Sequence, residues 1–324
     1  VSPVAPRAAQ AAPATRFIPH FLSVADLSAA ETQTLLDRAL ALKRDVAAGI
    51  TPPLLAGRTA ALVFQKPSLR TRVSFEVAML QVGGHALYLS PAEIQLGQRE
   101  GVADAAQVLS RYVDVIVARV FLHEDVEGLA RHAGVPVVNA LSDREHPCQI
   151  LADLLTLREH RGSLQGLALA YVGDGNNVAN SLALAAPRLG VELRLACPPG
   201  YTPDLALLEV GGAAASRGGG SITLTDDPRA AVDGADAIYT DTWYSMGQEG
   251  EAELRQPIFA PYQVNDELLA GASPSVIVLH CLPAHRGQEI TDSVIGGPHS
   301  VVYDQAENRL HTQKALLLRL LGEG

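Results

Sequence analysis

The chain has 324 residues, 48% of them apolar and 19% charged, with a formal net charge of −10. That length calls for about two domains, and the acidic balance argues against nucleic-acid or anionic-membrane partners, which need a basic surface. No apolar run approaches the ~20 residues that span a bilayer, so a soluble, cytoplasmic protein is expected.

Residues 1–20 read as a disordered extension. The stretch through residue 16 is rich in Ala and Pro, carries Arg7 and Arg16 without an acid, and lacks the apolar core of a secretory signal. Cys148, Cys197 and Cys281 form no CxxC pair and cannot all pair internally, which fits a reducing compartment.

A helical pattern over 27–48 is followed by an apolar run at 59–64, which predicts a buried strand. Ser68-Leu69-Arg70-Thr71-Arg72 then opens a second helical pattern, at 70–82, where Val73, Val77 and Leu80 recur before Gly83-Gly84. At such a strand-to-helix turn, free N–H groups and the helix dipole favour an anion, and guanidinium groups suit phosphate oxygens. Taken alone, a helix start with solvated arginines explains the segment too. It is not a P-loop, because the glycines and the Gly-Lys-Ser/Thr ending are missing.

Further strands are predicted at 85–89, 114–119 and 135–139, with helices near 104–112, 124–133 and 147–159. Arg119 closes one of these strands, as a solvent charge or a pocket cation. His146-Pro147-Cys148-Gln149 follows the next, and Pro147 suits a first helical position. His146 and Gln149 there can hydrogen-bond a carbonyl or a carbamoyl NH₂, or His146 can serve as a helix cap.

The second half repeats the alternation. Strands are predicted at 167–172, 191–196, 221–225, 237–241 and 276–281, helices near 177–189, 203–215 and 228–233, and a last amphipathic helix at 305–321. This predicts an α/β fold of two doubly wound domains with mostly parallel sheets and a site in the cleft between them. The boundary is placed at Arg161-Gly162-Ser163, and Gly211–Gly220 reads as a surface loop. Gly173-Asp-Gly-Asn-Asn-Val178 has Val178 where GxGxxG needs its third glycine, and no acid ends the next strand, which disfavours a dehydrogenase. Asn176, Asn177 and Asn180 offer amides to a polar ligand or cap a helix. Asp241-Thr-Trp-Tyr-Ser245-Met246-Gly247 presents a carboxylate that suits an ammonium group, or a turn. His280-Cys281-Leu282-Pro283 ends the final strand. With His146 and Cys148 it raises a zinc alternative, although the spacing matches no common zinc pattern.

Together, Ser68-x-Arg-Thr-Arg72, His146-Pro-Cys-Gln149 with Leu151-Ala-Asp153, Asp241-x-x-x-Ser-Met-Gly247 and His280-Cys-Leu-Pro283 resemble the aspartate/ornithine carbamoyltransferase family, and its ornithine-using members most closely. The likeness runs from about Phe21 to the end. Leu69 stands where Thr is commoner in the family.

The resemblance implies carbamoyl phosphate and L-ornithine as substrates, no cofactor or metal, and a homotrimer. It implies phosphate binding by Ser68, Leu69, Arg70 and Thr71, with Gln95 supplied by a neighbouring subunit. Arg119 would bridge phosphate and carbonyl oxygen, His146 would donate to that carbonyl, and Gln149 would accept from the carbamoyl NH₂. Cys281, Leu282 and Arg309 would complete the carbamoyl phosphate site, while Asn177, Asp241, Ser245 and Met246 would hold ornithine and Cys281 would lie near its amine. Residues 21–161 with 305–321 would form one domain and 162–304 the other. Putrescine and acetylornithine remain alternative acceptors. A non-catalytic phosphate-ligand sensor is the rival from another class, though it would have no use for Asp241, Ser245 and Cys281.

Overall fold

The computed structural model describes residues 20–97, 99–244 and 249–322. Ser245 and Met246 therefore lie outside the described residues. Among the described residues nine strands occur: β1 (Thr59–Phe64), β2 (His85–Leu89), β3 (Val115–Arg119), β4 (Val137–Leu141), β5 (Ala168–Val172), β6 (Glu192–Ala196), β7 (Ser221–Thr225), β8 (Ala237–Thr240) and β9 (Ile277–His280). Each overlaps a run predicted as a strand; β3, β5 and β9 are buried along their whole length, while the edge strands β2 and β7 are partly exposed.

They form two separate sheets, one with the order β2-β1-β3-β4 and the other β7-β6-β5-β8-β9. Every strand pair is parallel. In the first sheet the chain moves outward from β1 on one side and from β3 on the other, so the β1/β3 seam is a topological switch point. The β5/β8 seam is its counterpart in the second sheet. Ligands in open α/β sheets gather beyond the carboxyl ends of the strands at such seams.

The helices that bear on the site are α1 (Ala29–Ala47), α2 (Leu69–Gln81), α3 (Pro147–Arg161), α4 (Asn177–Ala185), α5 (Leu205–Gly218) and α6 (Val302–Leu321). Helix α6 lies against α1, α2 and α3. Arg309 Nη2 donates to Thr71 Oγ1 at 2.9 Å, Asn308 Nδ2 to Thr156 Oγ1 at 2.9 Å and Lys314 Nζ to Gln81 Oε1 at 2.7 Å. From its first turn Gln305 also accepts the backbone N–H of His280, at the end of β9.

One expectation needs correction. The stretch 211–220 is not mainly a loop, since α5 continues to Gly218 and ends on Gly219 in the left-handed region. A Cβ on Gly211 would stand 2.2 Å from the Ala183 carbonyl oxygen. The glycine therefore lets α5 lie directly on α4, a packing need that resembles flexibility when only the sequence is read. A further helix runs over Ala252–Phe259 with Pro257 inside it, a residue that normally argues against a helix.

Candidate active site

A cavity of about 450 Å³ opens between the carboxyl ends of the two sheets. Its walls come from the turns after β1, β3, β4, β5, β8 and β9, with Arg309 reaching in from α6. Both switch points thus face one space.

The first sheet contributes cations. Ser68 caps α2, accepting the Thr71 N–H through Oγ at 3.3 Å. The N–H groups of Leu69 and Arg70 have no partner within the helix and remain available to an anion. Arg70, Arg119 and Arg309 line the cavity together with Lys66. Arg119 and Arg309 are almost fully buried, and the Nε of each lacks a hydrogen-bond partner among the described residues. Burial, then Arg309 and Arg70, lowers the affinity of Arg119 for its proton, and burial does the same for Arg309. Like charges held this way in a buried site are a standing cost that a bound anion would relieve.

His146, 4% exposed, sits at the entrance to α3. Burial and the surrounding Arg309, Arg119, Lys66 and Arg70 push its imidazole well below the ordinary histidine range, so it is neutral at pH 7. Its backbone N–H donates to Ser181 Oγ at 3.0 Å, and its Nδ1 has no partner among the described residues. A neutral imidazole here can give one hydrogen bond to a carbonyl oxygen without competing as another cation.

The second sheet contributes a carboxylate and a thiol. Asp241 accepts from Cys281 Sγ at 3.0 Å and from Asn176 Nδ2 at 2.8 Å. Asn176 Oδ1 meanwhile caps α4 through the Val178 N–H. Burial, then Asp241, holds the Cys281 thiol well above its usual range, so it is a protonated donor. Asn177 lines the cavity and donates to the Ser142 carbonyl at 2.6 Å, while Tyr244 stacks on His285 with ring centroids 5.1 Å apart. Leu282 adopts φ 61°, a left-handed conformation costly for a leucine, and its N–H is pinned to His280 Nδ1 at 2.9 Å.

Not every residue named from the sequence lines the cavity. Gln149 is fully buried next to His146 and is absent from its walls, as is Thr71, whose hydroxyl faces Arg309. Gln95 is exposed and lines no part of this chain's cavity. Arg72 pairs with Glu76 and stacks 3.9 Å over the Tyr88 ring. Lys66 was missed: a lysine two residues before a helix cap ordinarily reads as a surface charge, but here it is 8% exposed.

The Asp241, His280 and Cys281 ligand atoms lie within 4.8 Å of one another. They do not suit zinc. His280 accepts the Leu282 N–H on Nδ1 and bonds Glu289 Oε1 through Nε2 at 3.0 Å, leaving no free ring nitrogen. In the Gly173–Val178 turn the second glycine has a packing role. A Cβ on Gly175 would meet Pro203 N at 2.2 Å, so this glycine serves a close chain crossing.

Comparison with known proteins yields one consistent result. The carbamoyl-P binding domain of aspartate/ornithine carbamoyltransferase matches residues 19–159, and the Asp/Orn binding domain of that family matches 165–320. An ornithine carbamoyltransferase of Pyrococcus abyssi is 54% identical over 93% of this chain and 95% of its own length. The solved ornithine carbamoyltransferase from Pyrococcus furiosus superposes with a TM-score of 0.91 at 53% identity, covering 94% of this chain and 97% of that one. A mutant N-acetyl-L-ornithine transcarbamylase is more distant, at 34% identity and a TM-score of 0.84 over 94% of this chain and 100% of its own. With matching domains across nearly its full described length, identity above half, and cations and a carboxylate meeting where the two sheets face each other, this chain belongs to the aspartate/ornithine carbamoyltransferase family.

Proposed function

We propose that the protein transfers the carbamoyl group of carbamoyl phosphate to the side-chain amine of L-ornithine, giving L-citrulline and phosphate. The observation that carries this reading is the division of one cavity. Lys66, Arg70, Arg119 and Arg309 crowd together without a carboxylate partner among the described residues, while Asp241 and Cys281 enter from the other sheet. A dianionic phosphoryl group suits the first set and an amino acid's ammonium group the second.

In this reading Ser68, Arg70, Thr71 and the Leu69 amide hold the phosphate, directly or by way of Arg309. Arg119 spans phosphate and carbonyl oxygen. As the neutral amine attacks the carbonyl carbon, Arg119 and His146 stabilise the developing oxyanion. The carbon–oxygen bond to phosphate then breaks and phosphate takes the amine's proton. Gln149 accepts from the carbamoyl NH₂, and Leu282 with its pinned amide closes the carbamoyl end. Asn177 and Asp241 orient ornithine, with Ser245 and Met246 assigned to the same task by their motif alone, and Cys281 stands beside the reacting amine.

Residues 21–161 with 305–321 act as the carbamoyl phosphate unit and 162–304 as the ornithine unit. An exposed Gln95 suits a homotrimer in which it reaches a neighbour's site. The buried free thiols of Cys148 and Cys197 suit a reducing cytoplasm.

The test is to supply carbamoyl phosphate with ornithine, putrescine, acetylornithine or aspartate in separate assays and measure ureido product and phosphate. Citrulline from ornithine alone supports the reading. Product from a different amine reassigns the acceptor, and no product with any amine favours a sensor.

Lys66 makes a second measurable contribution. Burial, then Arg119, pulls its ammonium down to about 8. Its charge is thus present below that pH and lost above it. Carbamoyl phosphate affinity should fall as pH rises from 7 to beyond 9, and Lys66→Arg, which stays charged, should flatten that slope. An unchanged slope in the variant would remove Lys66 from phosphate binding.

A further inference from the structure

Behind the cavity lies a buried chain of polar groups that the catalytic reading leaves unused. Asp153 is completely buried on α3, one turn beyond Gln149. Its Oδ1 accepts from Gln149 Nε2 at 2.8 Å and from Gln305 Nε2 at 2.7 Å. Gln305 in turn accepts the His280 N–H on Oε1 at 2.9 Å, and its Nε2 also reaches Tyr239 OH at 3.2 Å.

These contacts fix amide orientation by elimination. The backbone N–H of His280 can only donate, so Gln305 must present its oxygen there and its NH₂ to Asp153. Asp153, whose buried carboxyl is pushed up to about 7, accepts on Oδ1 in its ionised form, and the NH₂ of Gln149 then points at it. The Gln149 oxygen is left over, and it is buried with no partner among the described residues. A buried acceptor without a donor is costly unless a ligand supplies one. We infer that Asp153 and Gln305 are positioning residues that hold the Gln149 oxygen ready for the carbamoyl NH₂, so that the site selects a carbamoyl phosphate over an acyl phosphate with a methyl group in its place.

This rests on the proposed carbamoyl transfer, and the two can fail separately. Citrulline formation by the wild type is measured first, and its absence would remove the transfer reading. The KM for carbamoyl phosphate is then compared with the competitive inhibition constant of acetyl phosphate, which carries the same phosphate but no NH₂. The wild type should favour carbamoyl phosphate by roughly 10-fold or more, the scale of one well-placed hydrogen bond. Asp153→Leu, which removes the acceptor and frees the Gln149 amide to turn, should raise the carbamoyl phosphate KM roughly 10-fold and leave acetyl phosphate inhibition within about 2-fold. Asp153→Asn, which keeps an acceptor oxygen, should restore the discrimination.

If Asp153→Leu does not fold, Tyr239→Phe loosens Gln305 more gently and should shift the ratio in the same direction by less. Citrulline formation with no discrimination in the wild type would overturn the inference while sparing the transfer reading. So would equal weakening of both ligands, an Asn variant as poor as the Leu variant, or an unchanged ratio in the variant that folds.

Discussion

Replacing Arg119 with methionine is expected to lower kcat roughly 10²–10³-fold, about 3–4 kcal/mol, the usual cost of losing one donor to a developing oxyanion. The stability of the unliganded protein should move the other way. Arg119 is buried among Arg309 and Arg70, which disfavour its charge. Methionine fills much of the same space without that repulsion, so the melting temperature without ligand should stay level or rise. Phosphate should stabilise the wild type by mass action and the variant much less. Thermal scans with and without phosphate, beside steady-state rates, check both halves. A destabilised variant whose residual activity matches its folded fraction would make Arg119 a structural residue.

Asp241→Asn is the second large effect. The carboxylate accepts from Cys281 and Asn176, and in the proposed site it meets an ammonium group. Removing its charge should raise the ornithine KM roughly 100-fold, about 3 kcal/mol for a charged pair that is mostly buried, with carbamoyl phosphate affinity nearly intact. Asp241 also helps hold the Cys281 thiol high. The variant should therefore bring that thiol back toward its ordinary range and speed its alkylation at a given pH. Cys148 and Cys197, buried elsewhere, should stay unreactive. Alkylation of all three cysteines together would show unfolding instead, and an unchanged ornithine KM would remove Asp241 from the acceptor site.

Much of this protein could be read locally. Ser68, Leu69 and Arg70 announce a strand-turn-helix because an apolar run switches abruptly to helical periodicity around a capping serine, and that information lies within a few residues. The same holds for Pro147 at the start of α3 and for each short apolar strand. Where local cues misled, a distant partner was responsible. Gly211 looks like loop composition until Ala183 is seen against it. Thr71 reads as a phosphate ligand, and only the structure adds that its hydroxyl also accepts from Arg309, 238 positions further along the chain. Lys66 carries no sign in the sequence that it will be buried, because burial is decided by what packs around it.

The sequence by itself determined the elements, their parallel α/β character and the chemical types of the site residues, since periodicity, capping and side-chain chemistry are properties of neighbouring positions. Only the tertiary structure decided which strands lie side by side. The orders β2-β1-β3-β4 and β7-β6-β5-β8-β9 create the two switch points and turn them toward one cavity. That arrangement forces Arg70, Arg119 and Arg309 into shared low-dielectric space, makes His146 neutral and leaves the Gln149 oxygen without a partner among the described residues. Such properties depend on distance and desolvation between groups far apart in the chain, and become definite only when the two sheets close on the same space.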